Sequence, residues 1–146
     1  MSTVNDVVNS KQTDIWSIAP EDTVFNAIKL MDEKGIGALA VLHEDELVGI
    51  ISERDYARKV VLKGRSSNET KIKEIMTREV IFTRPEQGIK ECMAVMSKHR
   101  IRHLPVMENG KLISMISLGD VVKEIISDQE YQIEHLQHYV AWEESY

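Results

Sequence analysis

The hydrophobic pattern of the chain is a repeated alternation of short buried runs and helical stripes. Leu39-Ala40-Val41-Leu42 and Leu47-Val48-Gly49-Ile50-Ile51 flank the polar turn His43-Glu44-Asp45-Glu46 and predict a β-hairpin. Before it, Val24, Ala27, Ile28 and Met31 recur at helical spacing, with Asp22 or Thr23 as cap and Gly35 as stop. After it, Ser52 opens a helix through Tyr56, Val60 and Val61 that closes at Gly64. A short extended segment from Ile15 is halted by Pro20. The pattern predicts a β-α-β-β-α unit over residues 15–64 and a linker over 65–79, with Arg65-Ser66-Ser67-Asn68-Glu69-Thr70 its most loop-like part. A second such unit follows over residues 80–126. Residues 1–14, polar with scattered valines, read as a loose arm or short helix. Helical character continues through Ile126, Tyr131, Ile133, Leu136, Tyr139 and Val140, predicting an amphipathic helix over 127–146. Its stripe exceeds what the second unit needs and is expected to pack on a second copy of the chain.

The two units are copies. A shift of 65 residues superposes Pro20 on Pro85, Glu21 on Glu86, Met31 on Met96, Ile36 on Ile101 and Leu39 on Leu104. It also superposes Val41 on Val106, Leu47 on Leu112, Ile51 on Ile116, Ser52 on Ser117 and Asp55 on Asp120, all without a gap. Neither unit buries enough apolar surface alone, so the two should pack sheet to sheet about a pseudo-two-fold axis. The expected class is α+β.

Each unit ends in the same device: an apolar run, a Ser, and an Asp three residues later in the first turn of a helix. Gly49-Ile50-Ile51-Ser52-Glu53-Arg54-Asp55 is echoed by Ser114-Met115-Ile116-Ser117-Leu118-Gly119-Asp120. Such a corner can face a phosphate with the helix N-terminus and a ribose diol with the carboxylate. It can equally be a capping box that only finishes the helix. Arg54 and Arg58 share a helix face and, with Lys59, can clamp phosphates or pair with Glu53 and Asp55 on a solvated face. Arg102 and His103 fall where the second unit should face a cleft. His103 can stack or hydrogen-bond there, or be a satisfied structural histidine.

Composition narrows the chemistry. The 146 residues are 42% hydrophobic and 29% charged, with a formal charge of −6, which argues against a general nucleic-acid binder. Cys92 is the single cysteine, so an intrachain disulfide and a cysteine zinc cage are ruled out; its equivalence to Ala27 predicts a buried, inert thiol. His135 and His138 have metal-compatible spacing, but two ligands do not complete a site. Asn5 and Asp6 interrupt any apolar leader and no stretch reaches the length of a membrane span, so a cytoplasmic protein without membrane contact is expected. No Gly-x-Ser-x-Gly, His-Glu-x-x-His, phosphate loop or dinucleotide glycine motif is present, and the sequence does not read as an enzyme.

The duplicated units and their Ser-x-x-Asp corners resemble the tandem cystathionine-β-synthase (CBS) domain pair, or Bateman module, in its small stand-alone bacterial form. Arg102-His103-Leu104-Pro105-Val106 is similar to a recurrent strand of that family, Ile75-Met76-Thr77 to a common opening, and the run from Glu53 to Lys59 to the first corner of small members. The resemblance spans about residues 15–126. It implies an adenosine ligand (AMP, ADP, ATP, NAD or S-adenosylmethionine) in the cleft between repeats, with no cofactor required. Asp55 and Asp120 would hold ribose, and Ser52 and Ser117 would face phosphate. The base would lie near residues 37–39 or 102–104. It further implies a homodimer, and an effector protein that the sequence does not name. Ser114 replaces a usual glycine, and Gly119 stands where the first corner has Arg54, so the two corners should differ in affinity. The rival expectation is a ligand-independent dimeric scaffold.

Overall fold

A computed structural model describes the backbone of residues 2–11 and 14–144, and the side chains as far as residue 137. The elements run α1 (Val4–Lys11), β1 (Ser17–Ile18), α2 (Val24–Lys34), β2 (Ala38–His43), β3 (Glu46–Ser52), α3 (Glu53–Tyr56), α4 (Ile89–His99), β4 (His103–Glu108), β5 (Lys111–Ser117) and α5 (Leu118–Glu144). The mixed helix and strand content and the paired α/β units agree with the α+β class read from the sequence.

The internal symmetry is visible in detail. Thr23 caps α2 by accepting from the Asn26 amide, and Gly35 ends the helix in the left-handed region at φ 64°. Strands β2 and β3 pair antiparallel through a bulge after Val41, and β4 and β5 do the same after Val106. Both hairpins turn on two residues of positive φ, Glu44-Asp45 and Asn109-Gly110. In repeat 1, β1 joins the sheet parallel to β2. The expected first strand of repeat 2 shrinks to one bridge, Thr83 with Val106. Residues 118–144 form one helix, so the expected C-terminal helix is the continuation of the corner helix.

Neither repeat closes its own core. Val24, Met31, Leu39, Val41, Ile51 and Val60 of repeat 1 pack on Ile72, Ile75 and Met76 from the linker. Met96, Leu104, Val106, Ile116 and Val121 of repeat 2 pack on Val4 and Val7 of α1, from the far end of the chain. The backbone repeats the pattern: Val24 donates to the Thr70 carbonyl and Ile72 to Asp22, while Ile89 donates to Ser2 and Val4 to Gln87. The segment read as a loose arm or short helix is a helix, and it does for repeat 2 what residues 70–76 do for repeat 1. Polar flanking residues hid it from a periodicity reading, since only two side chains in its two turns are buried. Burying each valine contributes about 1.5–3 kcal/mol relative to exposure.

After Met76 the linker crosses β3, with Ile50 and Thr77 exchanging hydrogen bonds at 3.0 and 2.8 Å. Gly49 permits that crossing. A Cβ there would stand 2.7 Å from Met76 Sδ and 3.0 Å from the Thr77 carbonyl oxygen. Gly49→Ala should destabilise the chain by about 1–3 kcal/mol through overpacking, read as a lowered urea midpoint at unchanged slope. A midpoint equal to wild type would show that the crossing does not need the glycine.

Candidate functional site

A cavity of about 540 Å³ lies between the repeats, under the linker crossing. Repeat 1 supplies Gly37, Ala38 and the corner from Ser52 to Asp55, with Arg58 and Lys59 beyond it; Thr77, Glu79, Val80 and Ile81 form one wall. Repeat 2 closes it with residues 99–103. Six of the eight residues proposed from sequence meet here: Ser52, Arg54, Asp55, Arg58, Arg102 and His103. Five cationic side chains (Arg54, Arg58, Lys59, Arg100, Arg102) outnumber the three carboxylates of Glu53, Asp55 and Glu79, so the pocket favours anions although the whole chain is acidic.

The corner holds Asp55 by local bonds. The Asp55 amide donates to Ser52 Oγ at 3.2 Å, and the Ser52 amide donates to Asp55 Oδ2 at 3.0 Å, a reciprocal capping box. Asp55 Oδ1 takes Lys59 Nζ at 3.0 Å, and Lys59 also donates to the Ile75 carbonyl at 2.9 Å. Thr77 Oγ1 stands 3.4 Å from the same carboxylate oxygen. The next five residues, Ala57–Val61, form a π turn in which the Leu62 amide reaches the Ala57 carbonyl. Single π turns of this kind gather at functional sites. Across the cleft, Arg54 Nη1 donates to the Arg100 carbonyl at 2.7 Å. Arg100 caps α4 in the left-handed region at φ 54°, where repeat 1 uses Gly35.

His103 packs its ring over Gly37, where a Cβ would meet Cε1 at 3.2 Å. Burial lowers its pKa, the Lys11 and Arg102 charges add to that, and Asp120 opposes them. The ring is therefore kept neutral toward lower pH than a free histidine.

The second corner is built alike and differs in what fills it. The Asp120 amide donates to Ser117 Oγ at 3.1 Å and the Ser117 amide to Asp120 Oδ2 at 2.8 Å. That same carboxylate oxygen takes Lys11 Nζ from α1 at 2.8 Å, and Lys11 also donates to the Met115 carbonyl at 2.6 Å. Both corners were expected to open on one cleft. Ser117 instead lines an adjoining, more open cavity of about 580 Å³ that shares Arg102 and His103 with the first, and Asp120 lines neither. The reason is that the linker crosses over the first corner, whereas α1 and its lysine lie over the second. Sequence reasoning missed Lys11, Thr77 and Arg100. Lys11 falls 65 residues before Met76, so extending the repeat alignment into the N-terminal segment would have pointed to it.

The remaining candidates are structural. Burial pushes the Cys92 thiol up to about 11, leaving it unreactive. Trp16 packs on the repeat 1 core under Lys34, whose Nζ is 4.1 Å from the ring centroid. His135 stacks on Tyr131 with centroids 6.4 Å apart, and the His138 side chain lies outside the described residues. Among the described residues no group of three His, Cys, Asp or Glu is placed to hold a metal, and no helix is long and apolar enough to cross a membrane.

The CBS domain family model matches residues 4–62 and 72–127. The chain belongs to the CBS domain family. The first match takes in α1, which packs on repeat 2, and the second takes in residues 72–76, which pack on repeat 1. The mitochondrial CBS domain-containing protein CBSX3 of Arabidopsis thaliana is 38% identical over 149 aligned residues, covering 95% of this chain and 72% of that protein. The structure of a protein with CBS domains from Burkholderia ambifaria MC40-6 superposes with a TM-score of 0.84 at 51% identity, covering 88% of this chain and 96% of that one. The CBS domain pair of MJ0100, solved with 5′-methylthioadenosine and S-adenosyl-L-methionine, has the same fold at TM-score 0.76 and 24% identity, covering 88% and 98%.

Burial alone would raise the Asp120 carboxyl, but the Lys11 ammonium and the Ser117 amide outweigh it and hold it below its ordinary value. Its stabilising contribution is then present above the ordinary carboxylate pKa and is lost as pH falls through the lower folded-state value. Asp120→Asn should cost about 1 kcal/mol at neutral pH, for a partly exposed pair with a cap bond. In urea unfolding the gap to wild type should close between about pH 5 and pH 2. A gap that does not change with pH would mean that the Lys11 pair contributes nothing.

Proposed function

We propose that the chain is a regulatory module that binds an adenosine nucleotide (AMP, ADP, ATP or NAD) in the Asp55 pocket and does not turn it over. The observation that carries this reading is the inter-repeat cavity itself. It is of ligand size and cation-rich, with a ribose-competent carboxylate at its wall. Gly37 and Ala38 line the side of the cavity where a base would lie, Asp55 Oδ1 would take the ribose hydroxyls, and Arg54 and Arg58 the phosphate. The adenosine ligands of MJ0100 support the choice of class, while at that identity the likeness itself carries only the fold. Lys59 would leave Asp55 for a phosphate as the ligand enters, a short swing for an i+4 side chain that is 44% exposed.

A ligand that touches both repeats favours whichever relative orientation suits it, and that shift is what an effector protein would read. Exposed Ile126, Ile133 and Leu136 on α5 support the further proposal that the chain is a homodimer. A cytoplasmic address belongs to the same reading.

A ligand-independent dimeric scaffold is the second reading, favoured by the capping boxes, which already engage Ser52, Asp55, Ser117 and Asp120. Isothermal titration with AMP, ADP, ATP, NAD and S-adenosylmethionine separates the two. Saturable micromolar binding that Asp55→Ala weakens at least tenfold is expected, since a charge-assisted hydrogen bond contributes about 1.5–3 kcal/mol. Silence from all five ligands would leave the scaffold, and consumption of ATP or NAD on incubation would make the protein an enzyme.

A further inference from the structure

We propose that Lys11 is the built-in occupant of the second corner, so that one chain takes one adenosine ligand, at Asp55, and gains a second site only when Lys11 is removed. This rests on the nucleotide reading of the Asp55 pocket and extends it to stoichiometry.

The two corners share one capping geometry and each has a lysine ammonium bridging its aspartate to a backbone carbonyl. They differ in where that ammonium comes from. At the first corner it is Lys59, four residues along the same helical segment and 44% exposed, whose stem can swing away by giving up its bond to the Ile75 carbonyl and without moving a packed segment. At the second it is Lys11, 109 residues away in sequence, with its ammonium 2.8 Å from Asp120 Oδ2 and 2.6 Å from the Met115 carbonyl. Lys11 ends a helix anchored by Val4 and Val7, both buried in the repeat 2 core, and by the Val4 amide on the Gln87 carbonyl. Lifting α1 to free the corner would expose both valines. A nucleotide's ribose hydroxyls would have to compete with an ammonium already on the Asp120 carboxylate, a stronger partner than a neutral hydroxyl.

The surroundings point the same way. The cavity beside the second corner keeps two cations, Arg102 and Lys123, against the five of the first cavity, beside His103, Ser117 and Gly119. Leu118, Val122 and Ile126 make the rest of its lining apolar. Gly119 stands where the first corner has Arg54, so a phosphate there would lose one of its cations. Repeat 1 shows what the equivalent position carries when the lysine comes from the corner's own helical segment. Met76, the equivalent of Lys11, lays a thioether over Gly49 and leaves Asp55 to face the cavity. Lys11→Met therefore removes the ammonium and keeps a side chain of the repeat 1 type, over Ser114 where repeat 1 has Gly49.

The test is a count of sites per chain by isothermal titration with AMP and with ATP, on the full chain and its variants, each first matched to wild type by circular dichroism. Wild type should take one equivalent, abolished by Asp55→Ala. Lys11→Met should take two, one of them lost when Asp120→Ala is added. If Lys11→Met is misfolded, Lys11→Gln replaces it, with the same gain expected. Two equivalents in wild type, one removed by Asp120→Ala, would overturn the inference and leave the nucleotide reading standing. One equivalent in both wild type and the Lys11 variant would overturn it equally. A silent wild type with a site gained in the variant would uphold the Lys11 role and overturn the Asp55 reading; silence from both would overturn the two together.

Discussion

The structure depends on an exchange of apolar segments: each repeat is completed by residues that lie outside it in sequence. Ile72, Ile75 and Met76 close repeat 1 after its last helix, and Val4 and Val7 close repeat 2 from before repeat 1 begins. A half of this size buries too little surface to stand alone. The borrowed side chains supply the missing surface, and in doing so they force the chain to cross between the repeats. That crossing creates the cavity. The linker leaves the repeat 1 core at Met76, pairs Thr77 with Ile50, and enters the repeat 2 core at Ile81, roofing the pocket on the way.

At the corners, one set of local bonds has two uses. A Ser and an Asp three residues apart satisfy free amides at a helix start, which any helix requires. The second oxygen of the same carboxylate is then available to whatever tertiary structure brings near it. At Asp55 that is a cationic cleft containing Lys59 and Thr77. At Asp120 the neighbour is Lys11, which bonds the oxygen already held by the Ser117 amide. The same motif thus carries a carboxylate that faces a cavity in one repeat and one held by a lysine from the far end of the chain in the other. Choosing between capping and binding as the meaning of Ser-x-x-Asp is unnecessary, because the cap is what aims the carboxylate.

Electrostatics follow the same division. The chain carries a net charge of −6, yet the pocket gathers arginines from both repeats. Arg54 spans the cleft to the Arg100 carbonyl, so an anion entering there would act on a contact between the two halves. Arg100 holds a left-handed conformation that repeat 1 assigns to Gly35. Such backbone conformations at non-glycine residues concentrate where function constrains the chain.

Much of this was legible in the sequence by itself, wherever the cause is local or periodic. Strand alternation, the Thr23 and Gly35 caps, both hairpins, the duplication and both capping boxes depend on residues within a few positions of one another, or on a repeat that needs no coordinates to see. Arg54 and Arg58 were legible from their helical spacing beside the first corner, and Arg102 and His103 from the expectation that one unit faces the other. Only tertiary structure decided the rest. Two valines in a polar segment carry no periodic signal, so residues 1–14 read as a loose arm or short helix, and nothing local placed α1 on the repeat 2 core. The Lys11–Asp120 pair joins residues 109 apart, and no local preference encodes a contact of that range. The two corners were alike in sequence and became unlike in space because a different segment of chain lies over each.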